Sequence, residues 1–119
     1  MRIVCTSDTH SLHDSVVVPE GDVLIHAGDH CNRGTRSEVK KFDAWLAGLP
    51  HPHKWIIAGN HDWPWQKHNR YARHWLKHGL YLQDSGSVLE SIKVWGSPWQ
   101  PEFCNWAFNL PRGYALARV

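Results

Sequence analysis

Side chains that can bind a metal ion or carry a proton follow three short apolar runs in this sequence. Asp8 and His10 come after RIVCTS, Asp29 comes after DVLIHAG, and Asn60 and His61 come after KWIIAG. Carboxylate oxygens, imidazole nitrogens and amide oxygens together form a ligand set for Mn, Fe or Zn. These residue types therefore indicate metal-assisted or acid–base chemistry. For any one of them alone, an ordinary polar turn after a strand is the alternative.

The three apolar runs predict the elements that position these side chains. Continuous apolar stretches over 2–8, 22–29 and 54–60 are typical of strands that are buried on both faces of a parallel sheet. Neighbouring strands lie about 4.8 Å apart, and ligands gather at the carboxyl ends of the strands in such sheets. The polar residues that follow the three runs are therefore expected to form one site.

A helix is predicted between the second and third strands. Thr35 and Glu38 have the spacing of a capping box, and Gly48 and Pro50 end the pattern. One apolar stripe has helical spacing: Val39, Phe42, Trp45, Leu46 and Leu49. Residues 22–60 are therefore predicted to form a βαβ unit with a right-handed crossover.

The remainder of the chain has weaker signals. Residues 64–78 predict a second helix with Pro64 in its first turn, and residues 79–99 predict two or three short strands. Residues 100–119 are aromatic and irregular, with a helical pattern at the end. No linker or repeat interrupts the sequence, so a single domain over 1–119 is expected.

Composition excludes several classes of protein. The net charge is +2, which makes nucleic acid an unlikely partner and does not require an anionic membrane, and no apolar stretch approaches the roughly 20 residues of a membrane span. Cys5, Cys31 and Cys104 are far apart and contain no C-x-x-C, which favours a reducing compartment. The chain enters a strand at once, which leaves no room for a signal peptide. A cytoplasmic protein is expected.

Three segments resemble the motifs of one enzyme family. SDTHSLH, HAGDHCNRG and AGNHD are similar to the D-x-H, G-D-x-x-x-R-G and G-N-H-[DE] motifs of the calcineurin-like metallophosphoesterases. VWGSPWQPEFCNWAFNLPRG resembles the small single-domain branch that includes metallophosphoesterase-domain-containing (239AB-type) proteins. The resemblance implies an α/β fold, a metallophosphoesterase-type β-sandwich flanked by helices, of which this chain is the first βαβαβ half.

The resemblance also implies residue roles. Asp8, His10 and Asp29 would bind one divalent metal, and Asp29 would bridge to a second that Asn60 also binds. His61 would protonate the leaving oxygen. The implied reaction is two-metal hydrolysis of a phosphate ester, with Mn, Fe or Zn as the ions and phosphodiesters, nucleotide esters among them, favoured over monoesters.

Two further catalytic residues are implied, and two departures from the motifs matter. Asp62 would orient His61, and Arg33 would contact the phosphate. Asn32 stands where the phosphatases of the family have an aspartate. The family adds three more histidines from a G-H or T-H-G segment and a G-H-x-H segment, whereas the last histidine here is His78.

The missing histidines predict an incomplete site. On that interpretation the chain is the N-terminal portion of the fold, and its second metal binds weakly. The alternative to an active enzyme is a truncated metal-binding remnant that assembles with a second chain, as a homodimer or a domain-exchanged oligomer. A third interpretation, an RNA-binding module, would use the basic and aromatic residues of 65–78, although helix packing explains them equally well.

Other histidines and two tryptophans near the motifs have structural and functional interpretations. His26 is expected in the core, and His30 is either a core residue or a spare metal ligand. Trp63 and Trp65, next to His61, are candidates for a wall of the pocket that stacks on a base or another apolar leaving group, and packing of the second helix on the sheet is the other interpretation of Trp65. The other histidines considered are expected at the pocket rim or in solvated positions, with metal-binding pairs as the alternative: His13, His51, His53, His74 and His78.

Overall fold

Four short parallel strands form the sheet that carries the candidate site. The computed structural model describes all 119 residues. The strands are β1 (Ile3–Thr6), β2 (Val23–His26), β3 (His53–Ile56) and β4 (Leu80–Tyr81), in the order β1-β2-β3-β4. Cys5 pairs with Ile25 and Ile25 pairs with Trp55, so the carboxyl ends of the first three strands are aligned. The predicted parallel sheet is confirmed. Its strands are shorter than the predicted ranges because the glycines and polar residues at their ends do not pair with the neighbouring strand.

Helix α1 (Arg36–Ala47) covers one face of this sheet. Its predicted capping box is confirmed: Thr35 Oγ1 accepts from the Glu38 amide at 3.2 Å, and Glu38 Oε2 accepts from the Thr35 amide at 3.2 Å. The stripe residues Val39, Phe42 and Leu46 are fully buried in the larger core cluster. Burying a side chain of this size stabilises the fold by roughly 1.5–3 kcal/mol, so this stripe fixes the helix on the sheet.

The segment 64–78 forms two helices, not the single helix predicted. Helix α2 spans Trp63–Lys67 and helix α3 spans Asn69–Trp75, with His68 between them. In a continuous helix the Asn69 amide would bond the Trp65 carbonyl, but the Asn69 side chain takes that carbonyl at 2.7 Å. Asparagine competes with the helical hydrogen bond in this way, which explains the break.

A hairpin lies against the opposite face of the sheet. Strands β5 (Ser85–Leu89) and β6 (Ile92–Gly96) pair antiparallel, and Leu89 and Val94 pack against Val23, Trp55 and Leu82. This hairpin adds a second β layer to the helix-covered sheet, so the mixed α/β class with a parallel sheet and several helices is confirmed.

The last part of the chain returns toward the carboxyl ends of the strands. Strand β7 (Gln100–Pro101) pairs with β8 (Asn109–Leu110), and helix α4 spans Tyr114–Ala117. The Ala107 amide bonds the Asn60 carbonyl at 3.0 Å, so the β7–β8 connection lies beside the loop that follows β3. No helix combines the length and the apolar character that crossing a membrane requires.

Candidate metal centre

The loop after β1 presents Asp8 and His10 in an unusual backbone conformation. The φ angles of Asp8, His10 and Ser11 are 54°, 43° and 63°, in the left-handed region that residues other than glycine rarely adopt. The amides of His10 and Ser11 donate to the carbonyls of Asp29 and His30 at 3.0 and 2.9 Å. These bonds fasten the loop after β1 to the loop after β2 and offset the backbone strain.

Two glycines let the ends of β2 and β3 come into contact. Gly28 has a φ of 100°, and a Cβ atom there would lie 2.7 Å from the amide nitrogen of Gly59. The close approach places the Asp29 carboxylate under the next loop, where its Oδ1 accepts from the His61 amide at 2.9 Å. Burial raises the pKa of Asp29, although the His61 amide acts in the opposite direction.

Side chains from the three loops converge at one point, as the sequence predicted. His10, Asp29 and His61 each offer one ligand atom, and these atoms lie within 4.8 Å of one another; we call these residues the outer cluster. Asp8 is exposed beside it, with Oδ1 3.9 Å from His10 Nε2. His10 Nε2 also lies 3.9 Å from Asp29 Oδ2.

The hydrogen bonding of His10 suits a metal ligand. His10 Nδ1 lies 3.0 Å from the Cys31 carbonyl, which can only accept, so Nδ1 carries the hydrogen in neutral His10 and Nε2 has the free lone pair. That lone pair faces carboxylates that are too distant for hydrogen bonds. A cation bound to each group at about 2.0–2.2 Å would explain the spacing. Metal-binding histidines commonly donate their other nitrogen to a backbone carbonyl.

The side-chain amide of Asn60 lies against the same carboxylate, that of Asp29. One terminal atom of its side-chain amide lies 2.8 Å from Oδ2 and 3.1 Å from Oδ1 of Asp29. With the nitrogen there, the amide donates to the carboxylate. With the oxygen there, three oxygens face one another and need a cation to hold them together. Rotation of the amide exchanges the two arrangements, so Asn60 can bind a metal without adding charge.

The groups that hold the His61 ring were not predicted from the sequence. Its Nδ1 lies 2.9 Å from the Asn32 carbonyl, which makes Nδ1 the donor and leaves Nε2 free. Trp106 stacks on one face, with ring centroids 4.2 Å apart and planes at 26°. Trp65 is fully buried and bonds His30, so it packs in the core, as the helix-packing interpretation predicted, and does not form a wall of the pocket. Trp63 is half-buried, with Lys67 Nζ 4.4 Å from its ring centroid.

Asp62 lies behind the site and binds backbone instead of the His61 ring. Its fully buried carboxylate accepts from the amides of Asp29, Cys31 and Gly59 at 2.7, 2.8 and 2.8 Å. Burial raises its pKa to about 6, although the three amides act to lower it. Asp62 therefore joins the loops after β2 and β3, and the Asn32 carbonyl takes the orienting position on His61 that was expected of Asp62.

Arg33 is placed in the loop after β2, with an exposed side chain. Its amide donates to both carboxylate oxygens of Glu38 at 3.2 and 3.1 Å. Burial would raise the pKa of Glu38, but this amide and its neighbours outweigh that effect and lower it. The loop that presents Arg33 is therefore anchored to the first turn of α1, while the guanidinium is left for a ligand or for solvent.

A second group of potential ligands, the inner cluster, consists of His30, Cys31 and Asp62 and is completely buried. Trp65 Nε1 donates to His30 Nε2 at 2.8 Å, so the hydrogen of neutral His30 is on Nδ1, 3.3 Å from Asp62 Oδ2. Burial lowers the pKa of His30 to about 3 and raises that of the Cys31 thiol. His30 Nε2 and the Asp62 oxygens already accept hydrogen bonds, and His30 Nδ1, which has no hydrogen-bond partner, carries a hydrogen and so offers no lone pair. The geometry therefore favours a core role for His30 over that of a spare ligand.

The remaining histidines mostly serve the fold. His26 is buried as predicted, with Nε2 3.0 Å from Thr9 Oγ1. His13 was expected at the rim of the pocket but is buried, with Nδ1 2.8 Å from the same hydroxyl. His51 was expected in a solvated turn but is buried and bonds the Pro19 carbonyl at 2.8 Å. Those predictions for His13 and His51 were wrong because a neighbouring polar group gives each ring a partner in the interior.

The histidines expected to be solvated on the other elements are exposed. His53, His74 and His78 lie at the surface as predicted. His78 Nδ1 lies 2.9 Å from Asp43 Oδ2, an interaction between α1 and the turn before β4.

The Calcineurin-like phosphoesterase family matches residues 1–109, and the chain belongs to that family. Metallophosphoesterase domain-containing protein 1 of Homo sapiens is 44% identical over 97% of this chain and 42% of its own length. The Mus musculus protein of the same name gives the same values. Probable rhamnogalacturonate lyase C of Emericella nidulans is 40% identical over 94% of this chain but only 12% of its own length. The chain spans about two fifths of the length of the first two relatives.

Proposed function

We propose that this protein is a divalent-metal-dependent phosphoesterase. The observation that carries the proposal is the lone pair of His10 Nε2, which faces carboxylate oxygens of Asp8 and Asp29 at 3.9 Å. Family membership supports metal-dependent hydrolysis of a phosphate ester. Asp8, His10 and Asp29 are proposed to bind one metal, and Asp29 and Asn60 to bind a second; Mn, Fe and Zn all suit these ligands.

The chain's own residues supply orientation and a proton. When bound, the metal ions would provide a nucleophile at neutral pH and stabilise charge on the phosphate oxygens. His61 holds its Nδ1 hydrogen on the Asn32 carbonyl, so Nε2 is the nitrogen that can carry a proton to the leaving oxygen. The exposed Arg33 guanidinium is proposed to contact the phosphate, and Asp62 to keep the loops in register.

The finer features of the proposal rest on the resemblance of the motifs. Phosphodiesters are favoured over monoesters because the similar small branch has that preference, and a nucleotide ester is the proposed class of substrate. Manganese is the proposed metal ion. Cys5 and Cys104 are exposed free thiols, which supports a reducing compartment, and we propose the cytoplasm.

A second candidate is a metal-binding chain that assembles with another chain to complete the site. The supporting observation is apolar surface on the sheet and hairpin: Ile3 is 40% exposed, Val88 62% and Trp95 63%. Such surface favours a homodimer or a domain-exchanged oligomer. Calorimetric titration with Mn²⁺ beside gel filtration distinguishes the candidates, since two tight sites on a monomer would exclude the assembly.

Hydrolysis of bis-p-nitrophenyl phosphate by metal-stripped protein, with and without added Mn²⁺, tests the enzyme. We expect turnover to require Mn²⁺ and to fall roughly 100-fold or more in His61→Gln, because a positioned general acid contributes about 10²–10⁴-fold. His74→Gln is the matched control, since His74 is an exposed histidine on α3. Equal loss in both variants, or turnover that survives metal removal, would contradict the proposal.

A further inference from the structure

The connection between β7 and β8 brings an aromatic side chain to the candidate metal centre. Trp106 is half-buried, and its indole lies nearly parallel to the His61 imidazole at a centroid distance of 4.2 Å. The two rings are close enough for an offset stack, which is a favourable arrangement for aromatic pairs. A tryptophan in this position restricts the space that the imidazole can occupy.

The backbone around Trp106 is fixed on both the loop after β3 and helix α2. The Ala107 amide donates to the Asn60 carbonyl at 3.0 Å, and the Phe108 amide donates to Gln66 Oε1 at 3.0 Å. Ala107 and Phe108 are completely buried. The indole is therefore delivered by an anchored segment, and one of its anchors is the carbonyl of a candidate metal ligand.

Three separate connections restrain the ring of His61. The Asn32 carbonyl bonds Nδ1 at 2.9 Å, the His10 ring meets it edge-on at a centroid distance of 4.6 Å, and Trp106 covers a face. A half-turn of the imidazole about its Cβ–Cγ bond would place the carbon Cδ2 where Nδ1 lies and the carbon Cε1 where Nε2 lies. The Asn32 bond selects one of these orientations, and the indole limits tilting of the ring away from that bond.

We propose that Trp106 is a positioning residue that holds the His61 imidazole in the orientation needed for proton transfer. The inference rests on the proposed function, in which His61 Nε2 carries a proton to the leaving oxygen. A misplacement of about 1 Å near reacting groups costs on the order of 100-fold in rate. Trp106 should consequently influence the turnover number more than substrate binding. A tryptophan that stacked on the leaving group would instead lower affinity when it is removed.

The position of the ring can be tested by NMR without any catalysis. We compare Trp106→Leu and Trp106→Phe with Trp95→Leu, in which the lost tryptophan is 63% exposed on the hairpin. His61→Gln assigns the imidazole protons of His61. We expect Trp106→Leu to shift these resonances as the ring current is lost, Trp106→Phe to shift them less, and Trp95→Leu to leave them unchanged. Unchanged His61 resonances in Trp106→Leu would overturn the inference.

Kinetics with bis-p-nitrophenyl phosphate and Mn²⁺ then separate positioning from substrate binding. We expect kcat to fall roughly 10- to 100-fold in Trp106→Leu, with KM changed less than about twofold, and to recover largely in Trp106→Phe. A raised KM with unchanged kcat would overturn the positioning role. Thermal melts identify any variant that does not fold, in which case Trp106→Phe carries the test. Absence of turnover in the unmodified protein contradicts the proposed function, and the NMR result still decides whether Trp106 stacks on the His61 ring.

Discussion

The outer cluster of His10, Asp29 and His61 and the inner cluster of His30, Cys31 and Asp62 lie next to each other, and both draw on the loops after β2 and β3. Both have the residue types of metal sites, and each brings three ligand atoms within 4.8 Å of one another. A hydrogen bond also joins the two clusters, because the backbone amide of Asp29 in the outer cluster donates to the carboxylate of Asp62 in the inner cluster at 2.7 Å. Residue type and proximity therefore do not separate a metal site from a structural cluster in this protein.

The difference is whether the histidine lone pair of each cluster already accepts a hydrogen bond. In the inner cluster, Trp65 donates to His30 Nε2, and Asp62 accepts three backbone amides. In the outer cluster, the backbone bonds of His10 take only its Nδ1, so Nε2 remains directed at carboxylates 3.9 Å away. In the interior the lone pair of His30 is engaged by a protein donor, whereas the lone pair of His10, which lies nearer to solvent, is free for a cation. The outer cluster is thus the one suited to bind.

Removing the Asp62 carboxylate should have the largest effect on stability. Asp62→Ala leaves three buried amides without an acceptor, and we expect the free energy of unfolding to fall by about 3–5 kcal/mol. Asp8→Ala is the control, because its carboxylate is exposed and its loss should change stability little while weakening Mn²⁺ binding. Urea denaturation measures both variants. If Asp62→Ala fails to fold, Asp62→Asn, which keeps an acceptor oxygen, replaces it.

Equal destabilisation by Asp62→Ala and Asp8→Ala would remove the distinction between the two clusters. A tight Mn²⁺ site that survives in Asp8→Ala but is lost in a folded Asp62→Asn would reverse it. In that case the ion would occupy the inner cluster.

Binding of Mn²⁺ should stabilise the folded protein through the outer cluster alone. A ligand at 100 times its dissociation constant adds about 2.7 kcal/mol to the free energy of unfolding, which raises the melting temperature. We expect this increase in the unmodified chain and in Cys31→Ala, and not in His10→Gln. Differential scanning calorimetry with and without Mn²⁺ measures the shift. Loss of the increase in Cys31→Ala alone would place the ion in the inner cluster.

Much of the fold and the location of the site could be predicted from local patterns. Thr35 and Glu38 identified the start of α1 because a capping box depends on neighbours in sequence. Asp8, Asp29 and Asn60 were predicted to meet because parallel strands end at a common edge. Patterns of this kind are contained within a few residues or follow from the sheet topology.

The missed features depend on partners that are distant in sequence. The break at His68 arises when the Asn69 side chain takes a helical carbonyl, and it also bonds Gln83 at 3.0 Å. The stack of Trp106 on His61 requires the β7–β8 connection to return to the loop after β3. Asp62 was expected to orient the His61 ring, but its carboxylate accepts hydrogen bonds from backbone amides of two different loops. Sequence spacing alone does not determine such contacts.

The smallest predicted effect concerns pH and the buried His26, which shares the interior with the inner cluster. Burial lowers the pKa of His26 from 6.5 to about 3, so the folded protein holds the ring neutral while the unfolded chain protonates it. The unfolded state therefore binds more protons between these values. Stability attributable to His26 is complete above pH 6.5 and is lost as the pH falls toward 3, by about 1.4 kcal/mol per pH unit.

Comparison of His26→Phe with the unmodified chain isolates this contribution, because His30 and Asp62 titrate in both proteins. Asp62 acts in the opposite direction, since its raised pKa makes the folded state bind the extra proton between pH 3.8 and about 6. We expect the unfolding free energy of the unmodified chain, measured with urea from pH 7 to 5, to decrease more steeply than that of His26→Phe. Exposed His74→Phe should retain the steeper slope. Parallel pH profiles for His26→Phe and the unmodified chain would mean that His26 becomes protonated in the folded protein. The interior would then accommodate a charge that its hydrogen bonds do not compensate.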